Sequence, residues 1–311
     1  MVMMDNIKKT FEYLFKEMGK VVVGQEELLE QCMVSILCDS NALIESNPGL
    51  AKTLTVRTLA QLMDLKFSRI QNTPDLMPSD ITGTYIIEES DGKRAFKFQP
   101  GPVFANIVLA DEINRATPKT QSALLEAMQE KQVTVGTKTF ELDKPFFVLA
   151  TQNPIEQEGT YPLPEAQSDR FLLKIVVTYP KFDDEIEIVT RYTEDERPPT
   201  LRPVIKKDSI LQLQKLTRQV PVSNDLKKYV VDLITKTRTK KDLIEYGASP
   251  RASIGLILAS KARALMDGRK YVSKEDINAL ALPVLRHRVI LNFEAERKGM
   301  TTDDVIKQLL K

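Results

Sequence analysis

Two adjacent carboxylates, Asp111 and Glu112, directly follow an apolar run at residues 107–110. The run has the length and the β-branched content of a fully buried strand. At the carboxyl end of such a strand, where open α/β sheets bind their ligands, Asp111 could hold Mg²⁺ and Glu112 could polarise a water molecule. A strand that ends in a solvated turn is the alternative, and the pair by itself leaves that alternative open.

A second candidate segment, residues 41–54, has the pattern of a strand, a turn and a helix. A phosphate-binding loop needs converging backbone N–H groups, a lysine for the β and γ oxygens, and a neighbouring hydroxyl that ligates the metal. Lys52 and Thr53 supply the lysine and the hydroxyl. An ordinary strand–turn–helix corner is the alternative for this segment.

The loop departs from the strict pattern G-x-x-x-x-G-K-[ST] at both glycines. Ser46 and Ala51 stand at those positions, which leaves Gly49 as the only glycine in the loop. If the first position requires a positive φ, we expect Ser46 to be strained by about 1 kcal/mol. Such strain would weaken nucleotide binding, so a regulatory scaffold that binds ATP with little turnover is an alternative function.

Both segments occur together with four further motifs of one protein family. The matching segments are residues 22–25, 48–53, 109–116, 150–154, 162–171 and 247–252. On these residues the chain resembles a MoxR-type AAA+ ATPase over nearly its whole length. The family itself uses alanine where Ala51 stands, so Ser46 is the atypical residue. The resemblance implies a P-loop α/β core, a smaller all-α lid, and Mg²⁺-dependent ATP hydrolysis.

The resemblance also implies a nucleotide site. The expected nucleotide contacts are Gly24, Gln25, Ser46, Asn47, Pro48, Gly49, Leu50, Ala51, Lys52, Thr53 and Leu54, and the expected Mg²⁺ ligands are Thr53 and Asp111. Glu112 would activate the attacking water, and Asn153 would help to orient it against the γ-phosphate. Catalysis at such a site consists mostly of positioning and charge neutralisation.

Two arginines complete the expected site. Arg251 would reach the γ-phosphate in its own subunit, and Arg170 would act on the neighbour's ATP as an arginine finger, with Arg115 as the alternative finger. A finger supplied by a neighbour requires a ring, and the family precedent is a hexamer. The resemblance further implies chaperone-like remodelling or maturation of a client or adaptor, with a von Willebrand factor A domain expected in that partner.

The length of 311 residues agrees with a globular chain of about two domains. No apolar run approaches 18 residues and residues 1–20 lack a signal-peptide core, so we expect no membrane span and a cytoplasmic location. Cys32 and Cys38 are expected as free core thiols, and His287, as the only histidine, argues against zinc chemistry.

Nucleic acid is not an expected partner. The net charge is +1, from 44 basic and 43 acidic residues, whereas nucleic-acid-binding domains usually carry a clearly basic face. A DNA translocase is the second rival class, because hairpins like those of this chain also occur in related helicase motors. The near-neutral charge argues against it.

The pattern of elements predicts an α/β core followed by a helical lid. Strands are expected at residues 42–44, 67–70, 107–110, 146–151 and 172–177, after helices at 7–18 and 26–37. Hairpin inserts are expected near 77–102, with a turn at Asp91-Gly92, and near 133–142. The core would occupy residues 1–180, a linker 181–207 and the lid 208–311, with lid helices at 209–217, 224–237, 250–266 and 277–289.

The roles of Lys52 and Glu112 predict separable defects. Lys52→Ala should abolish ATP binding, because a lysine on the phosphates acts in the ground state. Glu112→Gln should keep binding and lose hydrolysis, because a residue that activates water acts on the way to the transition state. Equilibrium binding and phosphate release measure the two steps, and unchanged turnover in Glu112→Gln would remove that residue from the mechanism.

Overall fold

The computed structural model describes residues 2–90, 93–154, 159–194 and 199–311. The elements of the first part are α1 (Val2–Gly19), α2 (Glu26–Leu37), β1 (Ala42–Ser46), α3 (Lys52–Leu62), β2 (Phe67–Gln71), α4 (Pro78–Thr82), β3 (Gly83–Ser90), β4 (Lys93–Pro100), β5 (Ile107–Asp111), α5 (Pro118–Glu130), β6 (Gln132–Val135), β7 (Lys138–Glu141), β8 (Phe147–Gln152), α6 (Glu165–Ser168) and β9 (Leu173–Val177). The remaining elements are α7 (Phe182–Glu194), α8 (Lys207–Gln219), α9 (Asn224–Thr239), β10 (Ile244–Tyr246), α10 (Pro250–Met266), α11 (Lys274–Leu285), β11 (Ile290–Leu291), α12 (Phe293–Arg297) and α13 (Thr302–Leu309). Within these described ranges, no helix is both long and apolar enough to cross a membrane.

The central sheet has five strands in the order β2-β5-β8-β1-β9, and every neighbouring pair is parallel. All five strands predicted from the sequence are therefore confirmed. Because the strands run in one direction, the ends of β1, β5 and β8 meet at the same edge of the sheet. This carboxyl edge carries Ser46, Asp111 and Gln152.

Successive side chains along each strand divide between two apolar cores, as the period of two in a strand requires. In β1, Ala42 and Ile44 join the larger core, which includes α1, α2, α3 and the lid helices. Leu43 joins the smaller core, which α5 covers. The larger core runs without interruption from the sheet into the lid, so the two parts of the chain pack as neighbours over a broad apolar contact.

Both predicted hairpins are present, as β3–β4 and β6–β7. An aromatic contact joins them, since the rings of Phe98 and Phe140 are stacked with centroids 4.1 Å apart. Farther out on the first hairpin, the cross-strand partners Ile87 and Phe96 are 64% and 77% exposed. The turn predicted at Asp91-Gly92 lies outside the described residues.

The region after β9 is more structured than the sequence predicted. Residues 181–207, expected as a linker, contain the 13-residue helix α7. The four predicted lid helices are present as α8 to α11, although α11 ends at Leu285 rather than at residue 289. The lid also contains α12, α13 and the short antiparallel pair β10–β11, which helical periodicity alone did not reveal. The division into core, linker and lid stays a prediction.

A buried guanidinium joins the lid to the sheet. Arg288, whose side chain is 4% exposed, donates from Nε to Asp169 Oδ1 (2.7 Å) and from Nη1 to Leu172 O (3.0 Å). Its Nη2 donates to the carbonyl oxygens of Asp169 and Phe171. Burial lowers the pKa of Arg288, and the hydrogen bond that Arg288 donates to Asp169 opposes that effect. A further acceptor of Nη1 is Val284 O of α11. Asp169, Phe171 and Leu172 lie just before β9, so this cluster joins the lid to the amino edge of the sheet.

Arg288→Met should lower the free energy of unfolding by about 3 kcal/mol, because it leaves the Asp169 carboxylate and nearby carbonyl groups without their buried partner. Urea unfolding followed by circular dichroism measures the change. Arg297→Met, at an exposed arginine of α12, is the matched control and should shift stability by less than about 0.5 kcal/mol. Equal effects of the two substitutions would contradict a clamping role for Arg288.

Candidate functional site

A cavity of about 390 Å³ lies at the carboxyl edge of the sheet. It is lined by Pro48, Gly49, Leu50, Ala51, Lys52, Thr53, Leu54, Arg69, Gln71, Asp111, Glu112, Thr151, Gln152 and Asn153. The structure thus brings together the predicted loop residues 48–54 with Asp111, Glu112 and Asn153. Lys52 bonds to Ser46 and Asn47, which do not themselves line the cavity. Four other predicted site residues also lie outside the lining: Gly24, Gln25, Arg170 and Arg251.

The strained backbone conformation in the loop occurs at Ala51 and not at Ser46, where the sequence analysis expected it. Ser46 is the last residue of β1 and pairs with Val177 in the sheet, so its backbone is extended and the strain proposed for it is absent. Ala51, at the second glycine position, has a φ of +54° and forms the N-cap of α3. Gly49 has a φ of +82°. These two residues turn the chain so that the N-terminus of α3 faces the cavity, where its free N–H groups favour an anion.

Lys52 is bonded to the loop that precedes it. Its Nζ donates to Ser46 Oγ (2.6 Å) and to Asn47 O (3.1 Å). Burial lowers the pKa of Lys52, and the charges of Asp111 and Glu112 oppose this effect. Ser46 therefore supplies a neutral oxygen partner for the ammonium, and phosphate oxygens would offer a stronger, charged one.

The two carboxylates are held by residues of the neighbouring strands. Asp111 Oδ2 accepts from Arg69 Nε (2.6 Å), and Asp111 Oδ1 accepts from Thr151 Oγ1 (3.3 Å). The same Thr151 hydroxyl accepts from the Glu112 N–H (2.9 Å). Thr151 thus fixes both acids relative to β8, and Arg69 neutralises Asp111.

Glu112 has a φ of +54°, which is a strained conformation for a side chain of this size. Its Oε2 accepts from Arg115 Nη1 at 3.0 Å. Arg115, the alternative finger in the sequence analysis, is therefore engaged with the glutamate of its own subunit. Asn153 lies in the same cavity and is 8% exposed.

Sequence reasoning missed Arg69, Gln71, Thr151 and Gln152 as part of the lining. Their positions follow from the sheet, because β2 and β8 are the neighbours of β5 and Gln71 pairs with Asp111. The sequence of β2 contains no local pattern that indicates which strand lies beside it. The sequence could have indicated Arg69 only as an arginine inside a predicted strand. Its role also requires knowing that this strand pairs with the one that carries Asp111.

The residues present fit a magnesium ion. Mg²⁺ prefers oxygen ligands and usually takes one or two carboxylates, with water and substrate phosphates filling the other positions. Thr53 supplies a hydroxyl and Asp111 a carboxylate to the same cavity. Because Arg69 already bonds to Asp111 Oδ2, a cation at this carboxylate would compete with Arg69.

Arg170 and Arg251 lie at the opposite edge of the sheet. Both line a second cavity of about 320 Å³, which also contains Asn41 and Leu172, the residues just before β1 and β9. Five-residue strands separate the two edges by roughly 13 Å. Arg251 is 57% exposed and lies 3.5 Å from Asp169, measured from Nη1 to Oδ2. Arg251 thus lies away from the phosphate loop of its own chain. Its expected contact with the γ-phosphate in its own subunit stays a prediction.

Gly24 and Gln25 lie in the loop between α1 and α2 and do not line the cavity at the carboxyl edge. Gly24 has a φ of +69°, and a Cβ at this position would lie 2.8 Å from Asp184 Oδ2 of α7. Gln25 is 8% exposed. Their expected contact with adenine stays a prediction.

The fold is a parallel α/β sheet with a loop and helix N-terminus at its carboxyl edge, and comparison with known proteins identifies its class. Residues 41–173 match the family described as "ATPase family associated with various cellular activities (AAA)", and residues 236–309 match an AAA lid domain. The chain is 44% identical over 310 residues to Chaperone MoxR1 of Mycobacterium tuberculosis, which covers 97% of this chain and 81% of the relative.

Two further comparisons agree. Protein MoxR of Methylorubrum extorquens is 29% identical over 330 residues, with 95% of this chain and 92% of the relative covered. The crystal structure of a protein from Cytophaga hutchinsonii, named "putative ATPase", superposes with a TM-score of 0.92 at 45% identity, covering 99% of this chain and 95% of the other. The chain belongs to the MoxR family of AAA+ ATPases.

The left-handed backbone of Ala51 predicts a gain in stability from glycine. Ala51→Gly should raise the free energy of unfolding by about 1 kcal/mol, because glycine adopts this conformation without the penalty of a Cβ. Urea unfolding measures this change in the free energy of unfolding. The control, Ala123→Gly inside α5, should lower stability by about 1 kcal/mol. A loss of stability in Ala51→Gly would contradict the assignment of strain to this residue.

Proposed function

We propose that this chain is a Mg²⁺-dependent ATP hydrolase that works as a ring, by family precedent a hexamer, and remodels partner proteins. The observation that supports the proposal most is the carboxyl-edge cavity, which joins Lys52, Thr53, Asp111, Glu112 and Asn153 at the N-terminus of α3. A lysine, a hydroxyl, two acids and an amide around a helix N-terminus suit a triphosphate and its attacking water.

Each side chain has a role in this proposal. Lys52 and the N–H groups at the start of α3 bind the phosphates, exchanging the oxygens of Ser46 and Asn47 for phosphate oxygens. Thr53 and Asp111 hold Mg²⁺, which would neutralise charge on the phosphates when bound. Glu112 takes up the proton of the attacking water, and Asn153 orients that water.

Two ion pairs lie at the acids of this arrangement. Arg69 pairs with Asp111, and Arg115 pairs with Glu112. The Asp111 side chain is 9% exposed and the Glu112 side chain 30%, so the pair at Glu112 is more screened by solvent and costs less to exchange than the pair at Asp111. In this proposal bound Mg²⁺ competes with Arg69 for Asp111, and the attacking water competes with Arg115 for Glu112.

The positions of Arg170 and Arg251 support a ring in which both act on the neighbour's ATP. Arg170 is exposed, and its side chain makes no hydrogen bond or ion pair with any residue in the described part of the chain. Arg251 lies in the same cavity, away from its own phosphate loop. A head-to-tail contact would bring both guanidinium groups to the next subunit's carboxyl edge.

Partner proteins are proposed to contact the hairpin inserts. Ile87 and Phe96 form an exposed apolar cross-strand pair on β3–β4, and the stacked rings of Phe98 and Phe140 connect this hairpin to β6–β7. From the family resemblance we propose a client or adaptor with a von Willebrand factor A domain, in the cytoplasm. A pull-down with Glu112→Gln in the presence of ATP would retain such a partner.

Complementation tests the trans roles. Arg170→Ala and Arg251→Ala should each lower phosphate release at least about 100-fold, as loss of a charge-stabilising arginine does. Mixing either variant with inactive Lys52→Ala should restore turnover, because about a quarter of the interfaces in an equal random mixture join an intact loop to an intact arginine. Specific activity should also fall on dilution.

Mixed rings are verified by native mass spectrometry. If Arg251→Ala is not rescued in confirmed mixed rings, Arg251 acts in its own subunit and the trans role is wrong. ATP binding by the wild type without phosphate release would favour the regulatory scaffold. Tight, salt-sensitive DNA binding would favour the translocase.

A further inference from the structure

Helix α7 carries an apolar stripe on its outer face. Phe182, Ile186 and Val189 are 79%, 51% and 55% exposed, and their spacing places them on one side of the helix. The opposite side, with Asp184 and Arg191, faces the body of the subunit. No residue of α7 is buried. A contiguous exposed stripe of this kind marks an interaction surface.

The segment that leads into α7 contacts the phosphate loop, and α7 itself contacts the region where α1 ends and α2 begins. Just before α7, the Tyr179 hydroxyl accepts from Asn47 Nδ2 of the phosphate loop at 2.9 Å. Asp184 packs against Gly24, and Arg191 Nη1 donates to Gly19 O at 2.8 Å. These contacts fix the polar side of α7 against its own subunit and direct the apolar side outward.

The opposite edge of the subunit offers a complementary surface. Ile254 lies one turn after Arg251 on α10, lines the same cavity as Arg170, and is 61% exposed. The charges are also complementary. Of the five carboxylates of α7, Asp184 faces its own subunit and Glu187 pairs with Arg191. The other three are those of Asp183, Glu185 and Glu194, whereas Arg170 and Arg251 present positive charge beside Ile254. Such complementarity favours one orientation of contact.

We propose that the α7 stripe of one subunit packs against Ile254 and its flanking arginines on a second copy of this chain. The inference rests on the proposed function, since the trans arginines bring the Ile254 surface to the next subunit's carboxyl edge, where the segment that leads into α7 contacts the phosphate loop. Assembly would then bury apolar surface at the interface that shares the ATP. The contact is head-to-tail, as closure of a ring requires.

Assembly is tested in the Glu112→Gln background with ATP by sedimentation velocity. Ile186→Asp should require at least tenfold more protein to assemble, whereas Val231→Asp, at an exposed valine of α9 (54% exposed), should assemble like its parent. Binding of a fluorescent ATP analogue by the unassembled subunit should be unchanged in Ile186→Asp, which shows that the loop is intact.

The outcomes separate the two proposals. A wild-type chain that releases no phosphate from ATP overturns the proposed function. If the wild type hydrolyses ATP and Ile186→Asp assembles as well as its parent, only the α7 contact is overturned, and the stripe would bind a different partner. Loss of assembly in both Ile186→Asp and Val231→Asp would also overturn the α7 contact, because the effect would not be specific to the stripe.

Cross-linking identifies the surface that covers the stripe. Cys32 and Cys38 are both buried, so a short bismaleimide should react mainly with introduced thiols. Mixing Ile186→Cys with Ile254→Cys should give one covalent dimer in the presence of ATP, and neither variant alone should give any. A dimer formed by Ile186→Cys alone, or no dimer in the mixture, would overturn the pairing.

Discussion

The buried guanidinium of Arg288 is the constraint on which the arrangement of this molecule depends. It bonds to Asp169 and to the carbonyl groups that lead into β9, so the lid can pack only at the amino edge of the sheet. Gly255 of α10 reinforces this, since a Cβ there would lie 3.1 Å from Leu172. As a result Arg251 lies away from the phosphate loop of its own chain, and in the proposed function it acts on the ATP of a second subunit.

The cavity at the carboxyl edge of the sheet brings opposite charges together. Lys52 is bonded to Ser46 and Asn47, while Arg69 and Arg115 pair with the two acids. An isolated charge in a partly buried site is costly, so each charged group has found a local partner. ATP and Mg²⁺ would replace these partners with stronger ones, which couples binding to a rearrangement of the acids.

Backbone strain is concentrated in the same place. Ala51 and Glu112, both with a φ of +54°, border the cavity on two sides. Alanine and glutamate avoid this conformation unless the surrounding structure holds them in it. Here α3 and the Thr151 hydrogen bond do so, which aims the helix N-terminus and the glutamate at one point.

The sequence by itself determined the five strands and both hairpins, because local periodicity carries that information. It also indicated four side chains that the structure brings to one cavity, Lys52, Thr53, Asp111 and Glu112, because their types and spacing follow a known motif. It could not locate strain at Ala51 rather than Ser46, since φ at each position depends on how the loop joins β1 to α3. It gave no sign of Arg69, whose partner lies on the adjacent strand. Only the tertiary structure decided that Arg251 lies at the amino edge of the sheet. The reason is that the contacts of Arg288, which position the lid, join residues more than a hundred positions apart.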